Sequence, residues 1–415
     1  MESVYIGGKT PLYGEVTIQG SKNAALPIMA AALLVPGVSV LKNCPRIADV
    51  EYMCRILTHI GCQVCWRGKD LEIDASSLNT GQLPMEYVTR MRSSVMLMGP
   101  ILGRLGEVEL NHPGGCVIGD RPIDIHLKAL RRLGVCCEDD GVGLRACSCG
   151  LCGTTITLDF PSVGATENVV MAAVAAKGVT CLKNAAEEPE IKWLCAFLQA
   201  AGAEIRKVEN GNLLIIEGGR TLHPCCFEIP ADRIVAGTYL CACLAAGGKI
   251  FLERHPRGEN GALREIALCM GAKLRDTDKG LWVERTGELI SPGMVETGSY
   301  PGFPTDLQSP LLVALSAARG ESILRETIFN GRFRVVEELN RMGAEIQVRG
   351  NAAYIPGRKK LTGARVCAQE LRGGAALVAA GLCAQGETVV QNRHYIDRGY
   401  EDICRDMRLL GAECR

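Results

Sequence analysis

A chain of 415 residues with 46 basic and 46 acidic side chains carries no formal net charge, so nothing general draws it to nucleic acid or an anionic membrane. Apolar residues make up 47% and aromatic ones 5%, which excludes disordered and fibrous classes and leaves a core of Ala, Val, Leu, Ile and Cys. The length suits two or three domains, and any anionic ligand must be gripped by a local cluster of Lys and Arg.

The amino terminus, Met1-Glu2-Ser3-Val4, lacks the basic start and apolar run of a signal peptide. Gly7-Gly8-Lys9-Thr10 resembles the end of a phosphate-binding loop, but Ser3 breaks the full motif. The longest apolar stretch, Asn23 to Val38, contains Pro27 and Pro36 and is too short to span a bilayer; the expectation is a soluble, cytoplasmic protein.

From there a helix of small apolar residues, a Gly and an alternating strand recur at Gly37, Gly106, Gly178, Gly248, Gly320 and Gly386. After each, 23 to 28 residues on, an amphipathic helix closes at a second Gly: Gly61, Gly134, Gly202, Gly271, Gly343 and Gly411. These are spaced by 73, 68, 69, 72 and 68 residues, and Gly there suits a left-handed helix end. The spacing predicts six βαβαββ units of about 70 residues. The first helix of each unit is apolar all round and predicted to be buried on every side, with the second covering it. Three units per half predict two similar domains, 21–229 and 1–20 with 230–415, joined near Gly20 and Pro230.

Cations stand where helices are expected to open, at Lys22, Arg92, Arg121, Arg332, Arg372 and Arg398. The dipole makes a helix start unfavourable for a cation. One such residue could be a surface charge or a partner of Asp120, Glu370 or Asp397. Six at equivalent places predict a shared site for a ligand bearing phosphate or carboxylate groups.

Between a strand ending near Leu110 and an outer helix lies His112-Pro113-Gly114-Gly115-Cys116-Val117-Ile118-Gly119-Asp120-Arg121-Pro122. Its composition predicts a mobile loop. A bound anion would push the Cys116 thiol pKa up, while Arg121 and a helix start would push it down. The alternative is an inert loop cysteine. Of the 21 Cys, those inside apolar runs such as Leu240-Cys241-Ala242-Cys243-Leu244 read as small core residues. Cys136, Cys137, Cys147, Cys149 and Cys152 cluster, but without a nearby His the spacing is not a standard zinc pattern. A strand pair using Cys for volume is expected there. Gly141-Val142-Gly143 precedes a strand, so it is no dinucleotide fingerprint.

Several motifs together resemble the UDP-N-acetylglucosamine 1-carboxyvinyltransferase family over essentially the whole chain. They are Gly20-Ser21-Lys22-Asn23-Ala24-Ala25, Pro113 to Gly119, Arg121-Pro122-Ile123-Asp124-Ile125-His126, Ser162-Val163-Gly164-Ala165-Thr166, Glu188-Pro189-Glu190-Ile191, Phe303-Pro304-Thr305-Asp306 and Ile396-Asp397-Arg398-Gly399-Tyr400. The resemblance implies an inside-out α/β barrel of two domains with the active site in the cleft between them. It implies transfer of the enolpyruvyl group of phosphoenolpyruvate to a UDP-linked amino sugar, the first committed step of peptidoglycan synthesis. Lys22, Asn23, Arg121, Arg372 and Arg398 would hold phosphoenolpyruvate. Asn23, Arg92, Arg121, Pro122, Ile123, Asp124, Ile125, Ser162, Val163, Gly164, Asp306 and Ile328 would contact the UDP-sugar.

Cys116 would be the proton donor and the target of the epoxide fosfomycin, and Asp306 would take the proton of the sugar 3-hydroxyl. Lys22, Arg398 and Glu370 complete the implied catalytic set. No metal or organic cofactor is expected, and no nucleic-acid or membrane partner. Two residues depart from the family: Glu370 stands where Asp is usual, and Phe160 where some members have Lys. The competing readings are 5-enolpyruvylshikimate-3-phosphate synthase, with the same reaction type, and a paralogue that binds a UDP-sugar without turnover.

Overall fold

The computed structural model describes residues 2–112, 114, 123–208, 211–358 and 360–415. Among them, residues 20–230 form one compact unit and residues 1–19 with 231–415 form another.

In the unit of residues 20–230, apolar sequence makes the interior helical. The helices Lys22–Ala31, Met98–Leu105 and Val163–Ala175 lack the polar stripe of a surface helix, and all residues from Ala165 to Val174 are buried. Two glycines bring the second and third together. A Cβ on Gly99 would lie 2.4 Å from the Asn168 carbonyl oxygen, and one on Gly103 2.5 Å from the Ala175 Cβ. Asn168, buried in that contact, accepts from the Gly99 N–H at 2.8 Å and donates to the Val95 carbonyl at 3.0 Å. Its polar atoms are therefore satisfied inside the core.

Three sheets accompany these helices. Cys226–Glu228 runs parallel to Val38–Lys42, followed by antiparallel Asp70–Asp74 and Gln63–Arg67. Glu107–Asn111, Gly143–Cys147 and Cys136–Asp139 form an antiparallel sheet. Thr155–Thr157 runs parallel to Gly178–Lys183, followed by antiparallel Leu213–Gly218 and Glu204–Lys207. The covering helices Ala48–His59, Asp124–Arg132 and Pro189–Ala200 each bury one face.

The other unit is built the same way. Its helices Arg233–Ala246, Gln308–Ala317 and Leu371–Cys383 pack on one another pairwise. Leu12–Thr17 runs parallel to Gly248–Glu253, with Gly280–Arg285 and Lys273–Thr277 antiparallel beyond it. Met294–Glu296, Ser322–Arg325, Ala352–Ile355 and Gln347–Arg349 repeat that order. Arg365–Cys367 runs parallel to Glu387–Gln391, which takes Ser3–Gly7 as its antiparallel neighbour. The first residues of the chain thus belong to this unit because they supply two of its strands.

The twelve glycines singled out above all have φ between 80° and 111°. Two expectations are corrected. Arg92 opens a 3-10 stretch, Arg92–Leu97, ahead of its α-helix, and Thr305–Leu307 does the same before Gln308–Ala317. Arg398 ends a 3-10 stretch, Arg393–Arg398, rather than opening a helix; the next helix, Ile403–Leu409, is capped by Asp402. Cys241 and Cys243 are buried, as their apolar run implies; of twenty described cysteines eight are buried and seven exposed, and in the Cys136–Cys152 cluster only Cys137 is even half-buried. Among the described residues no helix is long and apolar enough to cross a membrane.

Candidate active site

In the unit of residues 20–230, Ser21 starts the site. Its hydroxyl accepts from the Ala24 N–H at 3.3 Å, which fixes the first turn and so the direction of Lys22 and Asn23. Lys22 Nζ lies 2.6 Å from Asp49 Oδ2, with the two side chains 11% and 2% exposed. A charge that buried needs such a partner. Asp49 stands in the first turn of Ala48–His59, where the helix dipole favours an acid.

A second group forms around His126. Ser162 caps Val163–Ala175, accepting from the Ala165 N–H at 3.4 Å. A Cβ on Gly164 would lie 2.9 Å from His126 Cε1, and Asn168 Nδ2 donates to His126 Nδ1 at 2.8 Å. The buried imidazole therefore ties the start of Asp124–Arg132 to the segment Ser162–Gly164. The helices Asp124–Arg132 and Val163–Ala175 are thereby held against each other. Phe160, two residues before that cap, is 45% exposed. Arg92 is half-buried. Cys116, Arg121 and Pro122 lie outside the described residues. Three acids also cluster in this unit: burial first, then Glu190 and Glu188, raise the pKa of Glu167 well above the usual carboxylate range.

In the unit of residues 231–415 the site is a chain of charge-assisted contacts centred on Asp306. Arg332 Nη2 reaches Asp306 Oδ1 at 2.7 Å and Arg372 Nη2 reaches Oδ2 at 3.1 Å. Both guanidiniums are almost fully buried, at 2% and 3%, while the carboxylate keeps 28% exposure. The two arginines thus hold the carboxylate from behind and leave part of it open. Burial works against the charge of Arg372, but Asp306, Tyr400 and Asp232 outweigh it and raise its pKa. Among the described residues Arg332 Nε and Arg372 Nη1 have no acceptor. Buried donors of that kind call for one.

Behind Asp306 stands Glu326, fully buried. Its Oε1 accepts from Thr297 Oγ1 at 3.0 Å and from the N–H groups of Ile328 and Phe329 at 2.8 and 3.1 Å. Its Oε2 accepts from Thr305 Oγ1 at 2.8 Å, and Thr305 Oγ1 in turn accepts from Arg332 Nη1 at 3.2 Å. One carboxylate therefore sets Ile328, Thr305 and, through them, Asp306 and Arg332. Glu370 caps Leu371–Cys383, accepting from the Arg372 N–H at 2.7 Å and from the Gly373 N–H. Its longer reach fits because residue 373 is Gly: a Cβ there would lie 2.7 Å from Glu370 Oε1.

Lys22 pairs with Asp49, and Arg332 and Arg372 share Asp306; the pairing offered by Asp120 and Arg121 lies outside the described residues. Asp397 pairs with Arg393 at 3.1 Å. Sequence reading missed Asp49, Thr305 as a relay and Glu326. A helix-start acid for Asp49 was the one available signal; for Glu326, its partners are backbone groups and hydroxyls with no pattern.

A family model described as EPSP synthase (3-phosphoshikimate 1-carboxyvinyltransferase) matches residues 6–407. The chain is similar to a protein of Caldanaerobacter subterraneus named UDP-N-acetylglucosamine 1-carboxyvinyltransferase 2, 45% identical over 98% of either chain. It is 42% identical to a protein of Granulibacter bethesdensis named UDP-N-acetylglucosamine 1-carboxyvinyltransferase, covering 100% of this chain and 99% of the other. Among solved structures, the enolpyruvyl transferase NikO from Streptomyces tendae superposes with TM-score 0.88 at 24% identity, covering 100% of this chain and 98% of that one. EPSP synthase from Acinetobacter baumannii does so with TM-score 0.76 at 16% identity over 100% of both. At these identities the likeness concerns the fold.

Proposed function

We propose that this chain, which belongs to the EPSP synthase family, transfers the enolpyruvyl group of phosphoenolpyruvate to the 3-hydroxyl of UDP-N-acetylglucosamine, releasing phosphate. The observation that carries this is 45% identity, end to end, with a protein bearing that substrate in its name. The shikimate-3-phosphate reading shares the fold but is represented among solved structures at 16% identity.

In this reading the reaction is addition followed by elimination. The Cys116 thiol protonates the methylene carbon of phosphoenolpyruvate, leaving its neighbour electrophilic. The sugar hydroxyl oxygen attacks that carbon while Asp306 takes the hydroxyl proton. Loss of phosphate and of a methyl proton then restores the double bond. Lys22, Asn23, Arg121, Arg372 and Arg398 hold the anion. Asn23, Arg92, Arg121, Pro122, Ile123, Asp124, Ile125, Ser162, Val163, Gly164, Asp306 and Ile328 take the UDP-sugar, and Ile328 is held for that by Glu326. Glu370 acts by fixing the first turn that carries Arg372.

The finer reading of the fold belongs to the same proposal: six βαβαββ units in two inside-out barrels. The shared strand order of four sheets supports it. So do the twelve left-handed glycines. The setting proposed is the cytoplasm, the product a peptidoglycan precursor needed for cell division, and Cys116 the point of attack by fosfomycin.

The test is phosphate release from phosphoenolpyruvate with either acceptor. Release is expected with UDP-N-acetylglucosamine and not with shikimate 3-phosphate. The reverse preference, or binding of the UDP-sugar without release, would refute the proposal.

A further inference from the structure

We propose that Cys136 and Cys147 are a surface dithiol that closes to an intramolecular disulfide by exchange with a small disulfide such as oxidised glutathione. This rests on the sheet of residues 107–147 and is independent of the reaction proposed above. Cys136–Asp139 and Gly143–Cys147 pair antiparallel, with Cys136 directly opposite Cys147. Directly opposed Cα atoms in such a ladder stand about 4.5 or 5.5 Å apart. Both separations fall inside the range of roughly 4.4–6.8 Å that a disulfide spans. Opposed residues also point to one face. Here that face is solvent: Cys136, Cys147, Glu138 and Arg145 are exposed, while Leu144 and Ala146 on the other face are buried.

The register is held at the turn. Asp140 Oδ1 accepts from the N–H groups of Val142 and Gly143 at 2.9 and 2.8 Å, and Asp139 Oδ1 from that of Gly141 at 2.9 Å. A one-residue slip would also put Leu144 and Ala146 in water. The two thiols are therefore kept in apposition. The neighbouring thiols are less suited. Cys137 alternates to the other face and is half-buried, and burial raises its pKa, so its nucleophilic thiolate is disfavoured. Cys149 and Cys152 are exposed but lie past the end of the ladder. Among the described residues no three His, Cys, Asp or Glu side chains gather as metal ligands.

The exchange balances in two steps. The thiolate of one cysteine attacks the small disulfide, forming a mixed disulfide and releasing one small thiol. The second cysteine loses its proton and attacks the sulfur of the first cysteine, closing the Cys136–Cys147 bond and breaking the mixed disulfide, so that the small molecule's remaining half leaves as a thiolate and takes up a proton. The protein gives up two electrons and the small disulfide takes them. A bond so exposed belongs to the readily reduced, reversible class.

The test uses the full chain incubated with excess oxidised glutathione, quenched in acid and digested with trypsin without reductant. Peptides 133–145 and 146–177 should appear joined, with fragmentation placing the bond at Cys136–Cys147, and dithiothreitol should part them. Cys136→Ser and Cys147→Ser should each lose the join and carry glutathione on the remaining member of the pair. Cys149→Ser should keep the join. No join, or a join through Cys137, Cys149 or Cys152, would overturn the proposal.

Discussion

Glu326 carries no reacting atom in the proposed chemistry, yet it accepts from four donors, two of them the N–H groups of Ile328 and Phe329. Replacing it by Gln keeps three of those contacts and turns an amide NH2 toward Thr305 Oγ1, which already accepts from Arg332. Hydrogen bonds to a charged group contribute about 1.5–3 kcal/mol. Glu326→Gln should therefore lower unfolding stability in urea by about 2 kcal/mol and raise KM for the UDP-sugar more than for phosphoenolpyruvate. Unchanged stability with unchanged KM would remove Glu326 from the positioning role. Lys22, Asp306 and Ser162 stand out in the sequence because they sit in motifs, and Arg372 because a cation there stands where a helix opens. Glu326 does not, because its partners are scattered over thirty positions and include backbone groups that sequence does not mark. Exposure was equally hidden: Cys241 and Cys147 are the same residue type, one buried and one in water.

The interior helices were readable as elements because a helix apolar on all sides has no stable place on a surface. How closely they approach was not readable. Gly99 and Gly103 admit the backbone of Val163–Ala175, and a Cβ at Gly99 meets the Asn168 carbonyl oxygen at 2.4 Å. Backbone cannot yield as a flexible side chain does, so Gly99→Ala should cost about 1–3 kcal/mol, seen as a lower thermal midpoint. A midpoint at or above that of the parent would mean these helices pack less tightly than described. The 3-10 stretches Arg92–Leu97 and Thr305–Leu307 also escaped sequence reading. A change from i+4 to i+3 bonding leaves nearly the same apolar spacing. Arg398 was misplaced for a related reason, since Ile396-Asp397-Arg398 could equally open or close a turn.

At the scale of the molecule, strands were visible in the sequence but their partners were not. Leu12–Thr17 pairs with Gly248–Glu253 across more than two hundred residues, and alternation marks a strand without naming its neighbour. One buried histidine and one buried acid respond to pH with opposite sign. His255, in the unit of residues 231–415, has its pKa lowered to about 4 by burial and then by Arg264, against the opposing pull of Asp276. Its contribution is present above about pH 6.5, the unfolded value, and is lost as pH falls toward 4, up to about 3 kcal/mol. Glu167, in the other unit, has a raised pKa, so its protonated form stabilises the fold at low pH and that stabilisation is lost as pH rises through the folded value. Glu167→Gln should flatten the alkaline limb of a stability–pH curve and leave the acid limb; a curve unchanged on the alkaline side would contradict the buried-acid reading.

The central claim is that Asp306, held by Arg332 and Arg372, accepts the proton of the sugar hydroxyl. It is tested by phosphate release from Asp306→Asn with both substrates saturating, alongside its thermal midpoint. The account predicts a fall in kcat of about 10²- to 10⁴-fold, the scale of general-base catalysis, with the fold intact. A folded Asp306→Asn protein turning over within about threefold of the parent would contradict it.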